Sequence, residues 1–557
     1  MEIPELVRTL LASRGVTREE DVAAFLAPDY ALHTHDPFLL SGMDVAVERL
    51  LGALDRGEHI AIYADFDSDG IPGAALLWDL FQSIDYDKVE VYLPHRDREG
   101  YGFHAEAIEA LAARGVSLII TVDVGTTAVD AVRFARERGV DVIVTDHHEI
   151  QDRLPEAVAV LNPKLPPYPF PHLCGAAVAY KLAQATLRAG KARGAERFMR
   201  VRDGWEKWLL DLVAIATVAD MVPLVGENRA LAHWGLHVLR RSRRAGIDAL
   251  CAALRVRKRE LTEDDIGFSI APRVNAASRM DDPDLAFALL TTSDALEARR
   301  IASQLEVLNA KRKGAVASVV RQVRKLVRER FTDADRVIVL GDTGWKPALL
   351  GLAANSIMNE RGGVVCLWGR DARDRLKGSC RSDGSVSVVE LLAAAGEALE
   401  AYGGHRASGG FSVSHEHVHE LQAALTRVVA PSETVASEVA APEYDARLSL
   451  PELSRALFQQ VTLLSPFGTG NPKPVFFVPS AIVTSVQRFG KEKNHVELLL
   501  ECRVSGVRYR AFDFFRAPED LSHVPVQGAE VGLLATLERD TYRGGLALRL
   551  IDVLSRE

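Results

Sequence analysis

Between His59 and about Pro163 the chain alternates short apolar runs with amphipathic segments, and three of the runs stop at an aspartate. The runs HIAIYA, VEVYLP, SLIITV, DVIVT and AVAVLN are separated by stretches such as HAEAIEALAARG and TTAVDAVRFARERG. Runs this short and this continuously apolar read as parallel strands buried on both faces and joined by crossover helices. They predict a doubly wound α/β domain. In an open parallel sheet ligands bind outside the carboxyl ends of the strands, so side chains from distant segments converge there on one crevice.

The acidic motifs sit at those ends. Asp65, Asp67 and Asp69 in ADFDSDG follow HIAIY, Asp123 in TVDVGTTA follows SLIIT, and Asp146, His147 and His148 in VTDHHE follow DVIVT. A fourth motif, ATVADMVPL, places Asp220 at the end of a long apolar helix. Carboxylates brought together repel and are costly to desolvate without compensation, which a divalent cation provides. The set contains no cysteine, and Cys174, Cys251, Cys366, Cys380 and Cys502 lack CxxC spacing. That argues against a disulfide framework and a thiolate zinc site. Carboxylates with imidazole favour Mn²⁺ or Mg²⁺. So many ligands exceed the needs of one ion, and they predict a pair that activates water for in-line attack on a phosphodiester.

At 557 residues the chain predicts several units. We expect an N-terminal helical segment at 1–50, a catalytic α/β domain at 51–292, mainly helical after Cys174, and a connecting helix at 293–330. The helix is opened by an N-cap Ser293 and would span roughly 55 Å. A second α/β domain is expected at 331–432, then a linker at 433–445 and a small all-β barrel or sandwich completing 433–557. The net charge of −9 gives no general support for nucleic-acid binding. Basic clusters nevertheless occur at 240–244 (RRSRR), 255–259 (RVRKR), 311–313 and 321–330, each alone reading first as a solvated helix face. The N-terminus does not read as a signal peptide and no run has the length of a membrane span, so a cytoplasmic protein is expected.

These motifs, in this order, resemble the DHH phosphoesterases, named for triplets of the Asp146-His147-His148 type. APRVNAASRM at 271–280 is similar to an Arg- and Asn-containing segment of the RecJ branch, and GSCRSDGSVSVVELL to the phosphate-contacting part of the DHH-associated domain. GGHRASGGF at 403–411 resembles that domain's glycine-rich substrate motif, and SPFGTGNPKPVF at 465–476 the opening of the RecJ OB-like domain. The resemblance implies a DHH-type parallel-sheet domain joined by the long helix to a DHH-associated α/β domain, followed by an OB-like barrel. Asp65, Asp67, Asp123, His147 and Asp220 would be metal ligands, with Asp123 bridging and Asp69 a further ligand or an outer neighbour. Asp146, His148 and Asp123 would serve catalysis. Ala61, Ala64, Val124 and Lys346 depart from common family residues, and none removes a ligand.

For the phosphate end, Arg279 and Arg381 have the chemistry of a terminal-phosphate clamp, with Asn275, Ser379, Ser382, His405 and the amides around Gly404 as further donors. Arg96 and Tyr101, in YLPHRDREGYGFH, suit contacts to backbone and bases. The resemblance implies a metal-dependent 5′→3′ exonuclease that releases mononucleotides from single-stranded DNA in repair and recombination. A single-strand-binding protein and a helicase are implied as partners. The alternatives are a DHH phosphodiesterase acting on short oligonucleotides or dinucleotides, and a non-catalytic scaffold, which retention of every ligand disfavours.

Overall fold

In the computed structural model the first five strands form one sheet: β1 (His59–Ala64), β2 (Val89–Tyr92), β3 (Val116–Val122), β4 (Asp141–Thr145) and β5 (Ala159–Leu161). The order is β2-β1-β3-β4-β5, and every pairing is parallel. The chain runs outward from β1 to β2 and then crosses back to β3, so the sheet reverses direction between β1 and β3. Asp65 and Asp123 therefore emerge at a topological switch point, where neighbouring loops part and leave a crevice. Helices Ala105–Ala113 and Val129–Glu137 cover one face, packing Ile108, Leu111, Val132 and Ala135 on Ala61, Tyr63, Ile119 and Val144. The structure describes residues 3–151, 153–332, 334–404, 406–429, 443–490, 493–540 and 543–556; His405 and most of the expected linker fall outside them.

A second sheet combines β6 (Val337–Gly341), β7 (Val364–Arg370), β8 (Leu376–Ser382), β9 (Ala401–Gly404) and β10 (Ser408–Val413) in the order β6-β7-β8-β10-β9. Only β6 and β7 pair in parallel. Helix Ala295–Arg330 serves both lobes. Its Ile301 and Leu305 are buried in the first half, and Val319, Val323 and Val327 join the core under the second sheet. The cap expected of Ser293 is made by Asp294, whose carboxylate accepts from the amides of Leu296 (2.7 Å) and Glu297 (3.4 Å). A carboxylate offers two acceptor oxygens and a charge complementary to the helix dipole. Both lobes belong to one compact unit, His35–Asp220 with Trp234–Ala436.

The other unit joins Met1–Thr34, Met221–His233 and Ser437–Glu557. Its strands are β11 (Ala446–Arg447), β12 (Phe476–Phe489), β13 (His495–Glu501), β14 (Arg508–Asp513), β15 (Glu530–Arg539) and β16 (Leu546–Ser555). The order β11-β12-β13-β14-β16-β15, with β12 also paired to β15, closes a barrel rather than a sandwich. Of the helical segment expected at 1–50, residues Met1–Thr34 group with this unit. Val7, Leu10, Leu11, Val22 and Phe25 bury themselves with Leu464, so the N-terminal helices finish the C-terminal unit's core. Buried Arg229 pins the arrangement. It donates Nε to Phe25 O (2.7 Å) and Nη2 to Leu464 O (3.0 Å) and Ser465 O (3.1 Å), with its guanidinium 3.6 Å from the Phe25 ring. All five cysteines are unpaired, and among the described residues no helix is long and apolar enough to cross a membrane.

A guanidinium satisfying buried carbonyls from separate segments cannot be replaced by a smaller donor. Arg229→Ala should destabilise the protein by about 3 kcal/mol, since hydrogen bonds to charged groups contribute about 1.5–3 kcal/mol each and are not additive. Arg229→Lys should recover less than half of the loss. Denaturant unfolding measures both, and a change below about 0.5 kcal/mol, the range of ordinary surface substitutions, would contradict the pinning role.

Candidate active site

Asp67 Oδ1 accepts from the amides of Asp69 (2.8 Å) and Gly70 (3.2 Å), which folds the loop after β1 into the start of helix Gly70–Ser83. A Cβ on Gly70 would lie 2.2 Å from Asp65 O, so this tight turn requires glycine. Asp123 sits at φ +59°, the left-handed region that Asp and Asn tolerate best among residues with a side chain. Helix Gly175–Ala192 starts against it, where a Cβ on Gly175 would be 2.6 Å from Asp123 Cβ. The amides of Gly175 and Ala176, each 2.7 Å away, hold the two oxygens of Asp69 at that helix N-terminus.

His147 Nε2 lies 3.1 Å from Asp123 Oδ1, 3.6 Å from Asp220 Oδ2 and 3.7 Å from Asp69 Oδ2. Asp65, Asp67 and Asp123 make a second group whose ligand atoms lie within 4.8 Å of one another, as do those of Asp69, His147 and Asp220. Asp146 behaves differently. Its Oδ1 takes the His148 Nδ1 (2.7 Å) and the His147 amide (2.7 Å), and its Oδ2 the Thr126 amide (2.8 Å). Burial alone would raise its pKa, but the His148 hydrogen bond and the charge of the imidazoles hold it below the usual carboxylate range. His148 responds in kind: burial disfavours its charged form, and the bond to Asp146 more than reverses this. The Tyr101 hydroxyl stands 3.2 Å from His148 Nδ1 and donates to Asp123 O at 3.3 Å.

The remaining carboxylates are held against their own repulsion. Burial, and then the charge of Asp67, pushes Asp65 up to about 8 and Asp69 up to about 7. Burial and the neighbouring aspartates carry Asp123 and Asp220 well above the normal range. Asp65 Oδ1 is buried without a hydrogen-bond partner, and Asp123 Oδ1 makes no aligned hydrogen bond despite its nearness to His147. Each such orphan costs about 1–3 kcal/mol. Hard oxygen donors with one imidazole, converging and uncompensated, fit a divalent cation of the Mn²⁺ or Mg²⁺ type.

Bordering the carboxylates is a cluster of opposite sign. Arg96 stacks 4.4 Å from the Phe66 ring, with its Nη1 buried and unpaired. Arg279 Nη1 donates to Ala348 O (2.7 Å) at the start of helix Pro347–Arg361, while its Nε is buried without a partner. Burial, then the charges of Arg96 and Arg312, depress the pKa of Arg279 far below its usual value, and Arg381 adds to them. Burial and the charge of Arg96 also lower Arg381. Guanidinium does not lose its proton in proteins, so the cluster is relieved by an anion rather than by titration. The charge of Arg96 acts on Asp65, and that of Asp67 on Arg279. Ser379 and Arg381 lie on one face of β8, with Arg381 opposite Ser408 of β10, and Gly404 of β9 is opposite Gly409.

Two of the residues expected to contact substrate also bond within the protein. Asn275 accepts from the Ser68 amide through Oδ1 (2.9 Å) and donates to Ser68 Oγ through Nδ2 (2.9 Å), so its amide braces the ADFDSDG loop. Buried Ser382 donates to Val386 O (2.7 Å) and closes its own turn. Sequence reasoning did not single out Ser68, Arg312 or Asn162, whose Nδ2 holds His148 O and Thr126 Oγ1, each at 3.0 Å. The glycine opening the CGAAVAY run, where the helix meets Asp123, was the readable signal for the close approach.

Residues 59–217 match the DHH family N-terminal domain, 334–430 the DHHA1 domain and 444–552 the RecJ OB domain. The single-stranded-DNA-specific exonuclease RecJ of Escherichia coli is 32% identical over 99% of this chain and 95% of its own length. The Bacillus subtilis RecJ is 34% identical over 90% of this chain, which spans 62% of that relative's length. The crystal structure of RecJ with Mn²⁺ from Thermus thermophilus matches with a TM-score of 0.77 at 27% identity, covering 100% of this chain and 79% of that one. With each part matched in this order and relatives above 30% identity over nearly their whole length, the chain belongs to the RecJ family of the DHH phosphoesterases.

Proposed function

We propose that this protein is a divalent-cation-dependent exonuclease that cuts single-stranded DNA from its 5′ end and releases mononucleotides, in DNA repair and recombination. One observation carries the reading: Asp65 and Asp123 on one side, and Arg96 and Arg279 on the other, each bury a polar atom that lacks a hydrogen-bond partner, and the two sets lie close enough for their charges to act on one another. A phosphodiester held by cations satisfies the first set, and a terminal phosphate satisfies the second. Asp65, Asp67 and Asp123 would hold one ion, and Asp69, His147 and Asp220 a second, with Asp123 Oδ1 3.1 Å from His147 Nε2 and so within reach of both. Bound there, Mn²⁺ or Mg²⁺ would polarise the scissile phosphate and acidify water.

The chain's own residues do the rest. Asp146 orients His148 through Nδ1 and favours its charged form, so His148 offers a proton donor to the scissile phosphate. Asp146 is a positioning residue in this account, because its oxygens are already occupied. Tyr101 steadies His148. Arg96, Arg279, Arg381 and Ser379 would grip the 5′-phosphate with help from the Gly404 amide, and ions held by the carboxylates would act on the next phosphodiester. Such an arrangement would set both polarity and product size. A strand must be single to be threaded, so a helicase that opens duplex and a protein that coats single strands are natural partners, in the cytoplasm where the DNA lies.

Removing one charge from the crowded cluster should separate stability from activity. Asp123→Asn keeps a residue suited to φ +59° and relieves repulsion, so in EDTA its melting temperature should equal or exceed that of wild type while cleavage is lost. Wild type should gain about 2.7 kcal/mol when Mn²⁺ reaches a hundredfold excess over its Kd, and the variant far less. Equal stabilisation of both by Mn²⁺ would contradict the ligand assignment.

The clamp makes a second prediction. Losing one charge-assisted contact costs about 1.5–3 kcal/mol, or roughly ten- to a hundredfold in rate. Arg381→Ala should therefore slow digestion of 5′-phosphorylated strands by that factor while changing 5′-hydroxyl strands much less, at fixed salt. An equal loss on both would make Arg381 a general backbone contact.

A further inference from the structure

Two of the basic clusters seen in the sequence, 240–244 and 255–259, come together in the fold. Lys258 Nζ donates to Ser242 O (2.8 Å) and Arg240 Nε to Leu261 O (2.7 Å), so the two segments lie against each other. Arg241 and Arg243 flank Ser242, and Arg257 and Arg259 flank Lys258; all four arginines are exposed. Arg257 pairs with Glu260 and Lys258 with Asp248, which leaves Arg241, Arg243 and Arg259 without an acidic partner among the described residues. Beside them Trp208 is 44% exposed, with the Arg243 guanidinium 5.4 Å from its ring. Nearby His237 is disfavoured as a cation by burial and then by the charges of Arg241 and Arg240. The cluster at 321–330 differs: there Arg324 pairs with Glu360 and Lys325 with Glu329.

We infer that Arg241, Arg243 and Arg259, with Trp208, form a second binding surface for single-stranded nucleic acid, separate from the catalytic residues. The inference rests on the exonuclease reading and extends it to the part of the strand not being cut. Unpaired arginines on a chain of net charge −9 mark a local polyanion site. An exposed aromatic ring among them favours a single strand, whose bases are free to stack, over a duplex, whose bases are not. Holding the strand here would keep it bound between cuts.

The test uses the full chain in EDTA and oligothymidylates of about 40 and about 6 nucleotides, the shorter being within the site size of one binding module. Binding is followed by anisotropy across a salt series. Each phosphate contact on a single strand contributes about 0.7 to the slope of log K against log salt. Replacing Arg241, Arg243 and Arg259 together by Ala should therefore lower the slope for the long strand by about 2 and its affinity at least tenfold. The short strand's affinity, and its digestion rate with Mn²⁺, should not change. Trp208→Ala should weaken the long strand with no change of slope, since stacking releases no ions. An unchanged slope, or an equal loss on both strands, overturns the inference, as does an equal loss on duplex. Failure of wild type to bind either strand would instead sink the exonuclease reading beneath it.

Discussion

The repulsion among Asp65, Asp67, Asp69, Asp123 and Asp220 governs this molecule. Hydrogen bonds and nearby cations offset it only in part: Asp65 Oδ1 has no hydrogen-bond partner, and several of the carboxyls are pushed far above their usual range. A fold that keeps such a cluster accepts a standing cost that a divalent cation would relieve. The arginines beside it repeat the arrangement with the sign reversed. Arg279 feels the charges of Arg96, Arg312 and Arg381, with its Nε buried and unpaired. On the proposed reading, the two clusters would receive a metal-bound phosphodiester and a further phosphate attached to it.

The scaffold supplies the rigidity that such crowding requires. The reversal of the sheet between β1 and β3 brings Asp65 and Asp123 to one crevice. Gly70 and Gly175 permit backbone approaches that any side chain would block. Asp69 is held by two helix-terminal amides, and Asp146 by amides and an imidazole, so neither is free to swing away. On the opposite lobe, the bond from Arg279 to Ala348 O fastens the phosphate side of the site to helix Pro347–Arg361. Helix Ala295–Arg330, buried in the cores of both lobes, sets the distance between them.

Much of this was legible in the sequence because it depends on local pattern. Strands buried on both faces must be continuously apolar, so the residue after each run marks a sheet end, and Asp65, Asp123 and Asp146 could be placed there from HIAIYA, SLIITV and DVIVT alone. The roles of Asn275 and Ser382 were not legible, because a side chain's partner lies in the fold: Asn275 meets Ser68 far along the chain, while Ser382 turns back to Val386. Nor could pattern show that Arg229 ties residues near Phe25 to those near Leu464. The N-cap of the long helix moved by one residue for a local reason, the stronger acceptor at Asp294.

The central claim is that the two charge clusters act together, metals over one phosphodiester and arginines on the terminal 5′-phosphate. Its most direct measurement is a time course of single strands labelled at one end or the other, digested with Mn²⁺ and then with EDTA. The account predicts that the 5′ label leaves first, as a mononucleotide, and that EDTA stops the reaction. Release beginning at the 3′ label, products longer than a mononucleotide, or cleavage that survives EDTA would contradict it.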